Sequence, residues 1–241
     1  MNASRPAVVL LSGGLDSAVA LALCREQGFA PNALTVDYGQ RHRLELAAAR
    51  QIAAALQIAR HVVLNVDLTQ WGGSALTGDA AVPENRPLGD MGKDIPTTYV
   101  PARNTIFLSL AMGWAETLGT GDIFIGAHSL DYSGYPDCRP EYFAAFTSMA
   151  ALATKSGIEG KSPWQIHTPL LHLTKTEIVR TGSELSVPFE FTLSCYQPRG
   201  STLTDWAACG VCDACLLRRR AFTDLGLIDP IRYLRPGEAA R

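Results

Sequence analysis

The chain has 241 residues, of which 47% are hydrophobic, enough to bury a substantial core in one main domain. Its formal net charge of -2 argues against an electrostatic footprint for nucleic acid or an anionic membrane and points to small-molecule partners. No run of about 20 apolar residues occurs, and the first apolar stretch is cut short without a small-residue cleavage pattern. The expectation is a soluble, cytoplasmic protein with neither a membrane nor a nucleic-acid partner.

The first predicted strand, Ala7 to Leu11, runs into Ser12-Gly13-Gly14-Leu15-Asp16-Ser17 and then an apolar helical pattern from Ala18 to Gln27. Glycines at 13 and 14 let the backbone turn sharply and aim its N–H groups inward. The following helix presents its positive end to the same point, so phosphate is the expected guest. A plainer reading is a turn in which Asp16 or Ser17 caps the helix. The chain contains no G-x-x-x-x-G-K-[ST], so this is not a Walker A loop.

Strand-like and helical patterns then alternate. Strands are predicted at Ala33 to Val36, His61 to Val66, Asp122 to Ala127 and Trp164 to Leu171. Helices are predicted at Leu44 to Leu56, Asn104 to Leu118, Glu141 to Thr154 and Lys175 to Leu185. The alternation specifies an α/β fold with a doubly wound, mainly parallel sheet and helices on both faces. Ligands of such sheets bind at the carboxyl ends of the strands, which directs attention to the loops Ser12 to Ser17, Asp37 to His42, His128 to Glu141 and Leu170 to Lys175. Leu68 to Pro101 has no clear period, and a loop of that length is expected to serve an active site or an interface. We divide the chain into an α/β domain, 1–190, and a cysteine-bearing segment, 191–241, packed on it.

Residues Asp131 to Glu141 follow a buried strand and carry three carboxylates, one arginine and two tyrosines. Carboxylates accept the paired N–H groups of a guanine-like edge, tyrosines stack on planar rings, and arginine grips a carboxylate with two parallel hydrogen bonds. A planar heterocycle bearing an acid would use all three. The alternative is a turn shaped by Gly134 and Pro136, with Arg139 and Glu141 capping the next helix. Cys195-x13-Cys209-x2-Cys212-x2-Cys215 supplies four thiolates, a spacing that suits a metal better than disulfides. Four thiolates make a closed tetrahedral zinc site of structural type, although an iron–sulfur cluster accepts the same set. Cys24 reads as a core residue and Cys138 as a buried structural thiol. His42 and His128 fall on loops where a proton carrier would sit, whereas His61, His167 and His172 read as scaffold.

The ordered set of Ser12 to Ser17, Asp37-Tyr38-Gly39-Gln40-Arg41-His42, Gly72-Gly73-Ser74-Ala75-Leu76-Thr77, Val100-Pro101-Ala102-Arg103-Asn104-Thr105 and the 131–141 loop resembles the 7-cyano-7-deazaguanine synthases of the queuosine pathway. These belong to the PP-loop, or N-type ATP pyrophosphatase, superfamily. The likeness runs from the first strand to the C-terminal cysteines. It implies an adenine nucleotide alpha hydrolase-like fold and an ATP-dependent ligase that converts 7-carboxy-7-deazaguanine and ammonia to the nitrile. Removing two oxygens requires two activations, so the amide is an intermediate. The superfamily's chemistry implies AMP and pyrophosphate as products, with ADP and phosphate left open.

The resemblance further implies that ATP is surrounded by Leu11, Ser12, Gly13, Gly14, Leu15, Asp16, Ser17, Ala18, Val19, Ala20 and Leu21, with Asp16 also helping to hold Mg²⁺. Asp16, Ser17, Lys175 and Arg103 are the implied catalytic set, with Lys161 a further cation candidate. Lys175 sits in a capping-box pattern, Thr174-x-x-Glu177, and its plainer reading is a solvated surface lysine. The substrate falls to Asp131, Tyr132, Ser133, Tyr135, Asp137, Arg139 and Glu141. Zn²⁺ is favoured at Cys195, Cys209, Cys212 and Cys215, and a homodimer is implied. The family carries Asn where this chain has His128, so no role is transferred to it. No glutaminase-like element is evident, so ammonia is expected free or from another protein. Two other readings stand beside this one: an RNA-modifying PP-loop enzyme such as a tRNA thiolase, and a zinc-stabilised nucleotide-binding module without turnover.

Overall fold

The computed structural model describes residues 4–91, 93–128, 135–161 and 163–235. Five strands, β1 (Arg5–Leu10), β2 (Phe29–Asp37), β3 (Arg60–Asn65), β4 (Asp122–Phe124) and β5 (Gln165–His167), form one sheet in the order β3-β2-β1-β4-β5. Every pairing is parallel. The helices are α1 (Leu15–Glu26), α2 (Leu44–Ala55), α3 (Arg103–Thr117), α4 (Pro140–Ala153), α5 (Lys155–Ile158), α6 (Lys175–Glu184) and α7 (Asp213–Asp224). This is the doubly wound α/β architecture read from the alternation of patterns.

Side chains alternate across β1, so its residues feed two cores. Ala7, Val9 and Leu11 pack with Leu15, Val19 and Leu21 of α1, Ile52 of α2 and Ile178 of α6 on one face. Val8 and Leu10 pack with Leu108 and Ala111 of α3 and Phe143 and Phe146 of α4 on the other. Both faces of β1 are therefore covered, which is why the run from Ala7 is continuously apolar rather than alternating. The chain turns one way from β1 to β3 and then crosses back to β4, which creates a switch point between β1 and β4. A crevice opens there, outside the carboxyl ends of the strands.

The last two strands are shorter than the patterns of Asp122 to Ala127 and Trp164 to Leu171 predict. Beyond Phe124 the chain must pass over the loop that follows β1. A Cβ on Gly126 would lie 2.8 Å from the Asp16 carbonyl carbon, so only glycine tolerates that approach. Helix α7 has no apolar period that announces it. Its middle, Arg218-Arg219-Arg220, reads as solvated, yet Arg218 is only 1% exposed. Its guanidinium donates to Thr192 Oγ1 (2.7 Å), to the Phe189 carbonyl (3.2 Å) and to both Asp229 oxygens (2.8 Å each), so the buried charge is fully partnered.

The long stretch between Leu68 and Pro101 is held on both sides. Ala75 N–H donates to the Thr97 carbonyl (2.8 Å), while Asn85 N–H donates to Val211 (2.8 Å) and Arg86 pairs with Asp213 (2.9 Å) in the cysteine segment. Its Leu76 reaches the crevice wall.

Candidate active site

The loops at the carboxyl ends of the strands enclose a cleft of about 240 Å³ at the switch point. Ser12, Gly14, Asp16 and Ser17 line it from the β1 loop, and Tyr38, Gln40 and Glu45 from the β2 side. Arg103 and Asn104 begin α3, His128 and Tyr135 follow β4, and Lys175 begins α6. The sequence directed attention to four of these loops.

The β1 loop is shaped by hydroxyls. Ser17 Oγ donates to the Gly14 carbonyl (2.9 Å) and accepts from Ser12 N–H (3.2 Å). Gly14 N–H donates to Ser12 Oγ (3.3 Å), and Leu15 N–H donates to Ser194 Oγ (3.3 Å). Gly13 has a φ of +91°, and a Cβ there would collide with the Glu45 carbonyl oxygen, so the turn demands glycine. The plainer reading of this loop, with Asp16 or Ser17 capping the helix, does not describe it. Gly14, the N-cap of α1, has no capping side chain, and the first N–H of the helix is taken by Ser194 instead.

The Asp16 carboxylate instead receives Lys175 Nζ on both oxygens (2.5 and 2.7 Å) and has His128 Nε2 3.5 Å away. Burial alone would raise its pKa, but the Lys175 ammonium and His128 overcome that and hold the carboxyl well below the usual range. Lys175 is 7% exposed, so it is not a solvated surface lysine. The capping box places it there: Thr174 Oγ1 accepts from Glu177 N–H (3.3 Å) and Glu177 Oε2 accepts from Thr174 N–H (2.7 Å).

Opposite, burial raises the Glu45 carboxyl to about 7 against the pull of Arg103. Burial also raises Tyr38 to about 12, helped by the Glu45 charge. Burial disfavours the charge on Arg103, but Tyr38, Tyr135 and Asp137 around it raise its pKa further and keep it a cation. Tyr135 Oη pairs with Thr98 Oγ1 (2.9 Å), and its ring lies 5.9 Å from that of Tyr99.

Leu11, Ser12, Gly14, Asp16 and Ser17 of the expected nucleotide set line the cleft, together with Lys175 and Arg103. Gly13 and Leu15 shape the loop from behind. Ala18, Val19, Ala20 and Leu21 are fully buried in the core and do not reach the cleft, because successive residues of α1 turn away from it. Within the substrate loop, Asp131, Tyr132 and Ser133 lie outside the described residues. Tyr135 lines the cleft. Asp137 is buried with its Oδ2 accepting from Asn104 N–H (3.0 Å), which caps α3 rather than facing the cleft. Arg139 and Glu141 are exposed at the start of α4 and do not line the cleft. Lys161 pairs with Glu159 (2.6 Å) on the surface, away from the cleft lining. Cys138 is buried and receives Asn104 Nδ2 (3.3 Å), as a structural thiol should.

Sequence reasoning did not select Tyr38, Glu45, Tyr196 or Ser194, and left His128 without a role. An acidic residue in a helix's first turn ordinarily reads as a complement to the helix dipole, so nothing in the text separates Glu45 from that class.

The four cysteines converge. The Sγ atoms of Cys195, Cys209, Cys212 and Cys215 lie within 4.8 Å of one another, and only Cys209 is not fully buried. Backbone N–H groups of Gln197 and Cys209 donate to Cys195 Sγ (3.3 and 3.2 Å), and Cys212 N–H donates to Cys209 Sγ (3.4 Å). N–H donors aimed at sulfur favour thiolates, and four buried thiolates would repel one another without a cation. The donor set therefore fits a metal ion.

Residues 6–226 match the family described as "Queuosine biosynthesis protein QueC". Curated relatives named 7-cyano-7-deazaguanine synthase include that of Solidesulfovibrio magneticus, 56% identical, covering 96% of this chain and 97% of its own length. That of Desulfatibacillum aliphaticivorans is 56% identical, covering 97% and 100%. Among solved structures, an NMN synthetase from Francisella tularensis matches at a TM-score of 0.45 and 16% identity over 98% of this chain and 90% of that one, too slight a likeness to argue from. With matches to family and relatives over nearly its whole length, the chain belongs to the QueC family of queuosine-biosynthesis proteins.

Proposed function

We propose that the cleft converts 7-carboxy-7-deazaguanine and ammonia to 7-cyano-7-deazaguanine with ATP, through an adenylated acid, the amide and an adenylated amide. The observation that carries this reading is the shielded Lys175–Asp16 pair in the cleft, beside a glycine turn whose Gly14 and Leu15 N–H groups are met by the hydroxyls of Ser12 and Ser194. The hydroxyls of Ser12 and Ser194 occupy N–H groups that phosphate oxygens would take over. Lys175 would offset charge on departing pyrophosphate, and Asp16 offers a carboxylate to Mg²⁺, which supplies further neutralisation of the phosphates when bound. Arg103, which lines the cleft, would grip the substrate's acid, and Tyr38 or Tyr135 would stack on its ring.

Zn²⁺ is the ion we assign to Cys195, Cys209, Cys212 and Cys215, with no open position and so a structural role. Residues 191–241 act as a segment clamped on the 1–190 domain, and the enzyme works in the cytoplasm as a homodimer without nucleic acid. The test is mass spectrometry of purified protein with ATP, Mg²⁺, ammonium and 7-carboxy-7-deazaguanine. Amide followed by nitrile, with AMP and pyrophosphate, is expected. Acid left untouched by metal-loaded protein overturns the assignment, and sulfur transfer to tRNA would replace it.

A further inference from the structure

Two carboxylates line the cleft, and their settings are opposite. Asp16 is clamped by Lys175 and faces His128. Glu45, the second residue of α2, is half-buried, and among the described residues no hydrogen bond or ion pair reaches its carboxylate. Its backbone carbonyl lies against Gly13, so the start of α2 sits beside the β1 loop, and Glu45 lines the cleft next to that loop. The other ionisable groups of the cleft are Arg103 from α3, Tyr38 after β2, His128, Tyr135 and Cys138 after β4, Lys175 from α6 and Tyr196 from the cysteine segment. Lys175 and His128 are engaged with Asp16, Cys138 accepts from Asn104, Tyr196 is hydrogen-bonded with Tyr135, Arg103 is a cation, and burial makes Tyr38 and Tyr135 hold their protons more tightly than a free phenol.

We propose that Glu45 holds ammonium in the cleft and accepts the protons that nitrogen sheds as it becomes bonded to carbon. This inference rests on the reaction proposed above. In the first round ammonium passes one proton to Glu45. The resulting ammonia forms the C–N bond as the C–O bond to AMP breaks; AMP leaves with the electron pair, and a second nitrogen proton goes to water. Adenylation of the amide oxygen then displaces pyrophosphate and releases one nitrogen proton to water. Loss of AMP takes the C–O pair with it while the remaining N–H pair completes the triple bond, and that proton goes to Glu45. Between rounds the carboxyl returns its proton to solvent. A carboxyl raised to about 7 by burial suits such a base, because it changes state readily near neutral pH.

The test compares wild type, Glu45→Gln and Glu45→Asp with ATP, Mg²⁺ and 7-carboxy-7-deazaguanine, using ammonium and then hydroxylamine, which is already neutral at about pH 7. Glu45→Gln should lose on the order of 10²-fold in kcat/KM for ammonium. Its pH profile should lose the inflection near neutrality, its KM for ATP should hold, and Glu45→Asp should recover part of the rate. With hydroxylamine the same variant should form the hydroxamate at close to the wild-type rate. Equal losses with both nucleophiles, or an ammonium dependence like that of wild type, would overturn the role of Glu45 alone. An inactive wild type overturns the reaction itself and the role of Glu45 with it.

Discussion

Lys175 and Asp16 meet because α6 starts where the loop after β5 passes the β1 loop, and the pair is shielded enough for its partners to depend on each other. Removing one member of a buried pair leaves an uncompensated charge. Lys175→Met should therefore cost about 2 kcal/mol at neutral pH by urea denaturation, with His128 and partial exposure of Asp16 limiting the loss. Because the folded pKa of Asp16 is depressed, its ionised form contributes stability that is fully present above the unfolded carboxylate value and is lost as pH falls through the folded one. The gap between wild type and variant should be widest above about pH 4 and narrow on acidification; a gap of constant size would remove the ion pair as its cause. Glu45 has the opposite sign. Its pKa is raised to about 7, so wild-type stability falls as pH rises from the unfolded carboxylate value to about 7 and then levels off. Glu45→Gln should melt with wild type near pH 4 and above it at pH 8, by at most on the order of 3 kcal/mol. Melting curves that coincide at both pH values would contradict a destabilised carboxylate.

At the scale of elements, two helix starts decide the site. Helix α1 begins at Gly14, which has no capping side chain, and Ser194 of the cleft lining takes its first N–H, while α6 begins with a complete capping box that sets Lys175 against Asp16. Gly13 joins the first of these to α2 by contact with the Glu45 carbonyl at a positive φ. Gly13→Ala adds both a disfavoured backbone conformation and a collision with backbone that cannot swing away. The expected loss is about 3 kcal/mol, read from the urea midpoint at constant m-value. A shift below about 1 kcal/mol would mean that α2 yields, and that its start is not fixed against the β1 loop.

Across the whole molecule, the cysteine segment reaches the β1 loop through a short chain of contacts. Helix α7 carries Cys215 and Arg218, Arg218 holds Thr192, and Leu193 N–H donates to the Gly13 carbonyl (2.9 Å). Metal bound to the cysteines would supply folding energy to that connection. Cys212→Ser, or chelation, should lower metal content and melting temperature together and weaken ATP binding. A variant that loses metal with an unchanged melt would exclude the structural role.

The α/β class, the βαβ alternation, the glycine turn after β1 and the four-cysteine set were legible because each is local: apolar period, glycine placement and cysteine spacing are properties of neighbouring residues. The capping box at Thr174 was legible for the same reason. Tertiary structure alone decided that Lys175 is buried against Asp16, that Asp137 caps α3, and that Ala18 to Leu21 belong to the core. Whether a given polar side chain faces water, a helix end or a cleft depends on which elements the sheet order brings together. The strand order β3-β2-β1-β4-β5, which sets Glu45 from one half of the sheet opposite Lys175 from the other, is fixed by packing both faces of β1 rather than by any short stretch of text.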